Sequence, residues 1–155
     1  MHRISTIWSA NAIVFISSFC VMVIELIAAR IMAPYIGVSL YTWTSIIGVI
    51  LAGIALGNYL GGKAADRYPS PLVLVAIFFV GGLLTMAILP AVKVVASSYW
   101  FDNLPIMLNF MFKTGCIFFL PAIVLSMVSP LVIKLTLGDI GRTGGVVGTI
   151  YATST

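Results

Sequence analysis

The chain has 155 residues, of which eight are Lys or Arg and four are Asp or Glu, so charged side chains make up 8%. Soluble domains carry roughly 25% charged residues, whereas hydrophobic residues reach 61% here and the mean hydropathy is +1.18. This composition excludes a soluble globule, a disordered chain, a nucleic-acid-binding domain and a secreted disulfide scaffold. It predicts an integral membrane protein that is embedded in the lipid bilayer.

The apolar runs predict an all-α fold, a polytopic transmembrane helix bundle with four spanning helices and an incomplete fifth segment. A span needs about 20 residues, so we expect one membrane module over residues 1–155 and no soluble domain. The predicted spans cover residues 7–29, 43–60, 72–92 and 113–135, and the fifth segment begins near residue 144. Because that segment has only about twelve residues, too few to cross a bilayer, we expect a fragment of a longer protein. The alternative is a shallow segment or one packed against a partner.

The first apolar run is too long for the apolar region of a signal peptide, which has about 7–15 residues, and it contains Glu25. Segment 30–43 follows it and contains a Pro, a Gly and several aromatic residues. Aromatic residues of this kind prefer the headgroup level of a membrane, and Pro and Gly favour turns. The segment is therefore predicted to be an interfacial connection.

The second span carries Gly53, Gly57 and Gly61 at four-residue spacing. Glycines at this spacing lie on one face of a helix and allow a neighbouring helix to approach closely. The pattern predicts a helix-packing face, which we call the glycine face.

The last long apolar region, residues 106–137, is longer than a hydrocarbon core of about 30 Å requires, so part of it is expected to be interfacial, tilted or broken. It contains Pro121 and Pro130. Prolines in such a position mark either a discontinuous helix with carbonyls available to a ligand or a simple kink, and we favour the kink.

The positions of the basic residues predict the orientation, because cytoplasmic loops of membrane proteins carry an excess of Lys and Arg. With the N-terminus inside the cell, five basic residues fall on the cytoplasmic side and three toward the outside. The inner set is Arg3, Lys63, Arg67, Lys134 and Arg142, and the outer set is Arg30, Lys93 and Lys113. We therefore predict a cytoplasmic N-terminus in the cell membrane.

Two ionisable residues are predicted to lie at membrane depth, where a charge costs about 2.5–3.5 kcal/mol on insertion scales. Counted at helical rise, Glu25 lies about 9 Å from the outer end of its span and Lys113 about 12 Å from Pro105. We hypothesise that Glu25 pairs with Lys113 or Arg30. The pair either fixes the packing of two helices, which we favour, or forms part of a site for a cation or amine.

Several chemistries have no residues to support them. The single histidine, His2, lies at the terminus, so no His-based metal site or acid–base pair is expected inside the bundle. Cys20 and Cys116 lie far apart within apolar runs and are predicted to be packing residues. We expect no metal, no cofactor and no catalytic residue in this chain.

The stretch that follows the glycine face contains Gly62, Asp66 and Arg67. It resembles the first half of the Gly-x-x-x-Asp-Arg signature in a cytoplasmic loop of major facilitator transporters, although Tyr68 and Pro69 depart from the rest of that signature. The alternative is a capped cytoplasmic turn that holds the topology.

Four segments together resemble the membrane module of the fused spermidine synthase-like membrane proteins. They are residues 25–44, the glycine-rich stretch 57–67, residues 127–131 and residues 145–155. In that family the membrane module precedes a Rossmann-like domain related to polyamine aminopropyltransferases, which use decarboxylated S-adenosylmethionine and putrescine. This chain has no counterpart of that domain, so the resemblance implies association with polyamine chemistry and not possession of it.

The resemblance and the intramembrane charges together predict a function and a site. The predicted function is a membrane anchor that binds or transports a polyamine or another small cationic metabolite, served by a fused or separate soluble domain. The predicted substrate-binding residues are Glu25, Arg30, Trp43 and Lys113. The alternative is a non-catalytic subunit of a larger membrane complex, with the glycine face packed on other helices. A third hypothesis is a half-transporter that forms a homodimer across that face.

Overall fold

The fold is described from a computed structural model of the chain, which covers residues 2–98 and 104–136 together with residues 145, 148, 149 and 152. The described residues form helices and short connections, and they contain no strand. Four of the helical stretches are long and apolar enough to cross a membrane. The all-α fold class and the four membrane helices predicted from the apolar runs are therefore confirmed.

The helices are numbered in chain order. They are α1 (His2–Ile36), α2 (Leu40–Arg67), α3 (Pro71–Val95), α4 (Ile106–Thr114), α5 (Leu120–Ser126) and α6 (Val128–Thr136). A π-helical turn, Gly115–Phe119, joins α4 to α5, so that α4, α5 and α6 form one stretch from Ile106 to Thr136. Successive spanning stretches run in opposite directions, which is the up-and-down topology that short connections favour.

The connection between α1 and α2 is much shorter than the segment predicted over residues 30–43, so the predicted length of the connection is wrong. Gly37 ends α1 in the left-handed conformation, with φ of 74°, and donates its N–H to the carbonyl of Ala33 at 2.9 Å. The Ser39 side chain then caps α2 by accepting the N–H of Thr42 at 3.2 Å. A glycine C-terminal cap followed at once by a serine N-terminal cap allows both helices to extend into the segment.

The stretch containing Gly62, Asp66 and Arg67 is also helical, and the prediction of a loop there is wrong. These residues form the last turns of α2, and the connection is reduced to residues 68–70. Ser70 caps α3 by accepting the N–H of Leu72 at 3.3 Å, and Pro71 occupies the first turn of α3. Proline suits that position because its missing N–H would have no partner there.

The fourth spanning stretch begins at Ile106, well before the predicted residue 113, and it is interrupted twice. The first interruption is the π-helical turn, which lies just before Pro121; the second is Met127, just before Pro130. A proline within a helix cannot donate to the carbonyl four residues earlier. Each proline therefore lies where the regular hydrogen bonding of this stretch is broken.

The buried core divides into two clusters along the bundle. One includes Met32, Ile50 and Phe118, near the end where α1 meets α2, and the other includes Val14, Val128 and Leu131, near the opposite end. The stretch from Ile106 to Thr136 is the most buried of the four and α3 is the least. Large apolar side chains cover the outer surface, as expected for a surface that faces lipid.

The predicted fifth segment, from about residue 144, falls mostly outside the described residues. Of its residues, 145, 148, 149 and 152 are described, and they are helical. Arg142 and the side chain of Arg3, two of the basic residues used to predict the orientation, also lie outside the described part.

Candidate intramembrane cation site

The glycine face of α2 packs directly on α5 and α6. A Cβ atom at Gly53 would lie 2.9 Å from the Ala122 Cβ, and one at Gly61 would lie 2.7 Å from the Met127 Cα. At Gly57 it would meet the carbonyl oxygen of Ile123. Because two of these three contacts involve backbone, the helices approach as closely as glycine allows.

This packing bears on two predicted uses of the glycine face, as the contact of a homodimer and as the contact with other subunits. The glycine face is covered by helices of the same chain, so it leaves no room for a homodimer across Gly53, Gly57 and Gly61. It leaves no room for helices of other subunits either. A face rich in glycine indicates close packing, but the residue pattern does not say whether the neighbouring helix belongs to the same chain.

A cavity of about 150 Å³ opens beside the glycine face, where α1, α2 and the α5–α6 junction meet. We call it the intramembrane cavity. It lies at the boundary between the two core clusters, since Ser17, one of its lining residues, is placed between Val14 of one cluster and Val21 of the other. Lining residues come from each of the three elements and are described by element below.

Helix α1 contributes one continuous face to the cavity: Ser17, Ser18, Val21, Met22 and Glu25. Residues at this spacing follow each other along one side of a helix. Ser17 is 2% exposed, and its Oγ donates a hydrogen bond of 2.7 Å to the carbonyl of Leu125. This bond joins α1 to α5 at the serine end of the face.

Helix α2 contributes Ile54 and Asn58. Each follows a glycine of the glycine face by one residue, which places it about 100° further around the helix. The rotation turns the helix surface from the tight contact with α5 toward the space beside α1. Asn58 therefore brings an amide into the cavity from a helix that is otherwise apolar on this side.

The α5–α6 junction contributes Leu125, Ser126 and Ser129. Met127 separates the two helices and donates its N–H to two carbonyls, those of Ile123 at 3.2 Å and Val124 at 3.3 Å. The Ser126 carbonyl has a proline, residue 130, at the position that would normally donate to it. The interruption and the two small serine side chains together leave the space that forms the cavity.

The cavity carries one ionisable group. Glu25, half-buried, is the acidic residue among the lining side chains, and none of these is basic. Lys134 Nζ and Asp66 Oδ1 form an ion pair at 2.8 Å, away from the cavity. The predicted pairing of Glu25 with Lys113 or Arg30 is therefore not what the structure shows.

The other predicted substrate-binding residues do not join Glu25. Arg30 and Trp43 are exposed, Lys113 is 7% exposed on α4, and none of the three lines the cavity. Glu25 and Lys113 were paired because their depths match, but depth says nothing about the direction in which each side chain leaves its helix.

The residues of the predicted loop motif lie at the end of the bundle that also holds the beginning of α1. Asp66 joins α2 to α6 through its ion pair with Lys134, and both side chains are largely exposed, at 73% and 50%. Arg67 lies over the ring of Tyr68, 5.7 Å from its centre. Nothing lies within 4 Å of a Cβ placed on Gly62, so these residues form a solvated helix end away from the cavity.

The cysteines and acidic residues of the described part do not form a metal site. No three His, Cys, Asp or Glu residues come together within it. Cys20 and Cys116 carry free thiols and are exposed, so neither is a packing residue of the buried core.

Five polar residues of the cavity were not identified from the sequence: Ser17, Ser18, Asn58, Ser126 and Ser129. A signal for them is present, since Ser18 precedes Glu25 by two helical turns and Asn58 is a polar residue inside an apolar run. Small polar residues in membrane helices are also common at helix contacts. Their convergence on one space therefore depends on tertiary packing.

The fold and the cavity define a class, a polytopic helical membrane protein with a polar site between its helices. Comparison with known proteins adds no narrower assignment, because no family model, curated protein or solved structure matches the chain. The resemblance to the spermidine synthase-like membrane proteins and to facilitator transporters therefore stays a prediction.

Proposed function

We propose that this protein is a membrane module that binds a small amine cation in the intramembrane cavity, with Glu25 as the group that neutralises it. The observation that carries the proposal is the composition of the lining: one carboxylate, several neutral polar side chains and no basic residue. A cation entering this cavity meets one negative charge and no competing positive charge.

The energetics of membrane proteins favour this assignment. A charged side chain at membrane depth costs about 2.5–3.5 kcal/mol and usually faces a partner or a water-filled space. Glu25 faces a cavity that contains no basic side chain. An ammonium ligand would supply the missing positive charge and would donate hydrogen bonds to the carboxylate, which are stronger than those between neutral groups.

The proposal includes an orientation and a cellular role. Lys63, Arg67 and Lys134 lie at the end of the bundle where α1 begins, which supports a cytoplasmic N-terminus in the cell membrane under the positive-inside rule. The resemblance to spermidine synthase-like proteins suggests that the module anchors a soluble domain, fused or separate, and that amines are its ligands or transported substrates.

The test is thermal unfolding of the full chain, purified in detergent micelles, with increasing concentrations of butylamine. Binding to the folded state alone stabilises it by about 2.7 kcal/mol when the amine reaches 100 times its Kd, so the Tm is expected to rise with amine concentration. Glu25→Gln removes the negative charge with little change of shape, and we expect it to abolish this rise.

Asp66→Asn is the matched control, because it makes the same chemical change at the solvated end of the bundle. It is expected to retain the amine-dependent rise in Tm. An equal rise in the original protein and in Glu25→Gln would show that the amine binds elsewhere, and the proposal would fail.

A further inference from the structure

The groups lining the cavity are arranged in order along the bundle. On α1 the two serines, Ser17 and Ser18, come first, and Glu25 lies two turns later, about 10 Å further along the helix axis. The Ser17 hydrogen bond places Leu125 at the serine end. A Cβ on Gly57 would lie 2.8 Å from the Ser126 Cβ, which places the neighbouring Asn58 at that end too. The cavity thus has an acidic end and a neutral polar end.

The neutral polar end holds hydrogen-bonding groups that the protein does not use internally. Ser126 is 7% exposed and lines the cavity. Within the described residues, the side chains of Ser18, Asn58, Ser126 and Ser129 make no hydrogen bond to one another or to any other described group. Ser126 is buried, Ser18 and Ser129 are partly exposed and Asn58 is exposed, so a ligand with a polar group at this end can form hydrogen bonds with these side chains from the open side of the cavity.

Apolar side chains separate the two ends. Val21 and Met22 lie between the serines and Glu25 on α1, and Ile54 of α2 also lines the cavity. An inorganic cation prefers a compact shell of oxygen ligands, which this arrangement does not provide. An alkyl chain between two polar groups matches the order acidic, apolar, neutral polar.

The charge limits the ligand more than the volume does. The cavity of about 150 Å³ has room for about six non-hydrogen atoms, and it is open on the side of Met22 and Asn58, which are exposed. One carboxylate neutralises one ammonium group. A second ammonium at the other end would meet only hydroxyl and amide groups and would enter the membrane uncompensated.

We propose that the ligand is a short, unbranched, singly charged primary amine with a hydroxyl group at its far end, about the length of 4-aminobutan-1-ol. Its ammonium lies at Glu25 and its hydroxyl lies among Ser18, Ser126 and Ser129. This inference rests on the proposed function, because it assumes that Glu25 holds the amine, and it narrows the substrate class by excluding long polyamines.

The experiment compares four amines on the full chain in detergent micelles, with Kd values taken from thermal-shift titrations. The probes are butylamine, 4-aminobutan-1-ol, 1,4-diaminobutane and spermidine. We expect 4-aminobutan-1-ol to bind about fivefold more tightly than butylamine, the effect of one net hydrogen bond, and the two multiply charged amines to bind more weakly than either. A Kd for 1,4-diaminobutane or spermidine at or below that of 4-aminobutan-1-ol would overturn the inference.

Ser126→Ala tests the neutral polar end separately. It removes one hydroxyl and should weaken 4-aminobutan-1-ol by about fivefold while leaving the Kd of butylamine unchanged, a selective effect that a folding defect would not produce. Ser97→Ala, outside the cavity, should change neither Kd. An equal loss for both ligands, or none for either, would overturn the assignment of the hydroxyl group.

The results distinguish the inference from the proposed function. If amines bind through Glu25 but the longer or more highly charged ones bind best, the proposed function stands and the ligand assignment fails. If no amine binds, or if Glu25→Gln binds all four equally well, the proposed function fails and the ligand assignment fails with it.

Discussion

Two adjoining faces of α2 behave in opposite ways. The glycine face meets α5 and α6 so closely that a single added carbon has no room, whereas Ile54 and Asn58, one residue further along, border open space. The difference is a rotation of about 100°. It shows that one side of a helix can pack without side chains while the adjoining side borders a polar cavity shared with α1.

The largest expected effect comes from filling the close contact. Gly57→Ala places a Cβ against the Ile123 carbonyl oxygen, and backbone cannot rotate out of the way, so we expect a loss of about 1–3 kcal/mol in the free energy of unfolding. Reversible unfolding by SDS in mixed micelles measures this. Gly48→Ala is the control, since nothing lies within 4 Å of its added carbon; equal losses in the two variants would refute the difference between the two faces.

Filling the cavity should have a different result. Ile54→Phe adds volume on the side where space exists, so we expect a change of less than about 1 kcal/mol in stability and a loss of amine affinity of at least about tenfold, or 1.4 kcal/mol. Gly53→Ala, one residue earlier, meets the Ala122 Cβ at 2.9 Å and is expected to lose stability instead. Unchanged amine binding in a folded Ile54→Phe protein would place the amine outside the cavity.

The hydrogen bond between α1 and α5 is expected to contribute less. Ser17→Ala removes the donor to the Leu125 carbonyl, and such bonds between membrane helices contribute about 0.6 kcal/mol on average. Thr85→Val is the comparison, because the Thr85 hydroxyl bonds to Gly81 within its own helix. The same unfolding measurement should show a greater loss for Ser17→Ala, and the reverse order would argue against this bond as a link between helices.

The smallest expected effect is at the exposed ion pair. Asp66→Asn breaks the contact with Lys134, and exposed pairs contribute about 0–1 kcal/mol. We expect a loss within this range at low salt that disappears at about 1 M salt, where charges are screened within about 3 Å. A larger loss, or one that salt does not reduce, would mean that Asp66 has a structural role beyond this pair.

Sequence reasoning was accurate where a property belongs to one helix. Apolar runs predicted the four spanning stretches, and Gly53, Gly57 and Gly61 predicted a face of close approach. It was wrong at the connections, because the caps at Gly37, Ser39 and Ser70 extend the helices into segments that composition alone assigns to loops. A cap depends on one or two residues, whereas the prolines and aromatic residues around it dominate the average composition of a ten-residue segment. Composition therefore assigned these segments to loops.

Of the six polar residues that line the cavity, the sequence predicted one, Glu25. Glu25 was identified because a carboxylate inside an apolar run is unusual. Serine and asparagine are common in membrane helices for packing reasons, so Ser126 and Asn58 give no comparable signal. The pairing with Lys113 was predicted from depth alone, and depth does not determine the direction in which a side chain leaves its helix.

The amino-acid sequence by itself determined that this is a helical membrane protein, how many helices can cross the bilayer, and that one helix has a face without side chains. The length of an apolar run and the spacing of glycines are properties of a single segment, so they can be read without knowing which helices pack beside it. Only the tertiary structure decided that α5 and α6 cover the glycine face and that Glu25 shares a cavity with serines and not with a lysine. Several faces of each helix are apolar enough to point toward lipid, so hydropathy does not select the partner of a given face, and the packing of the helices does.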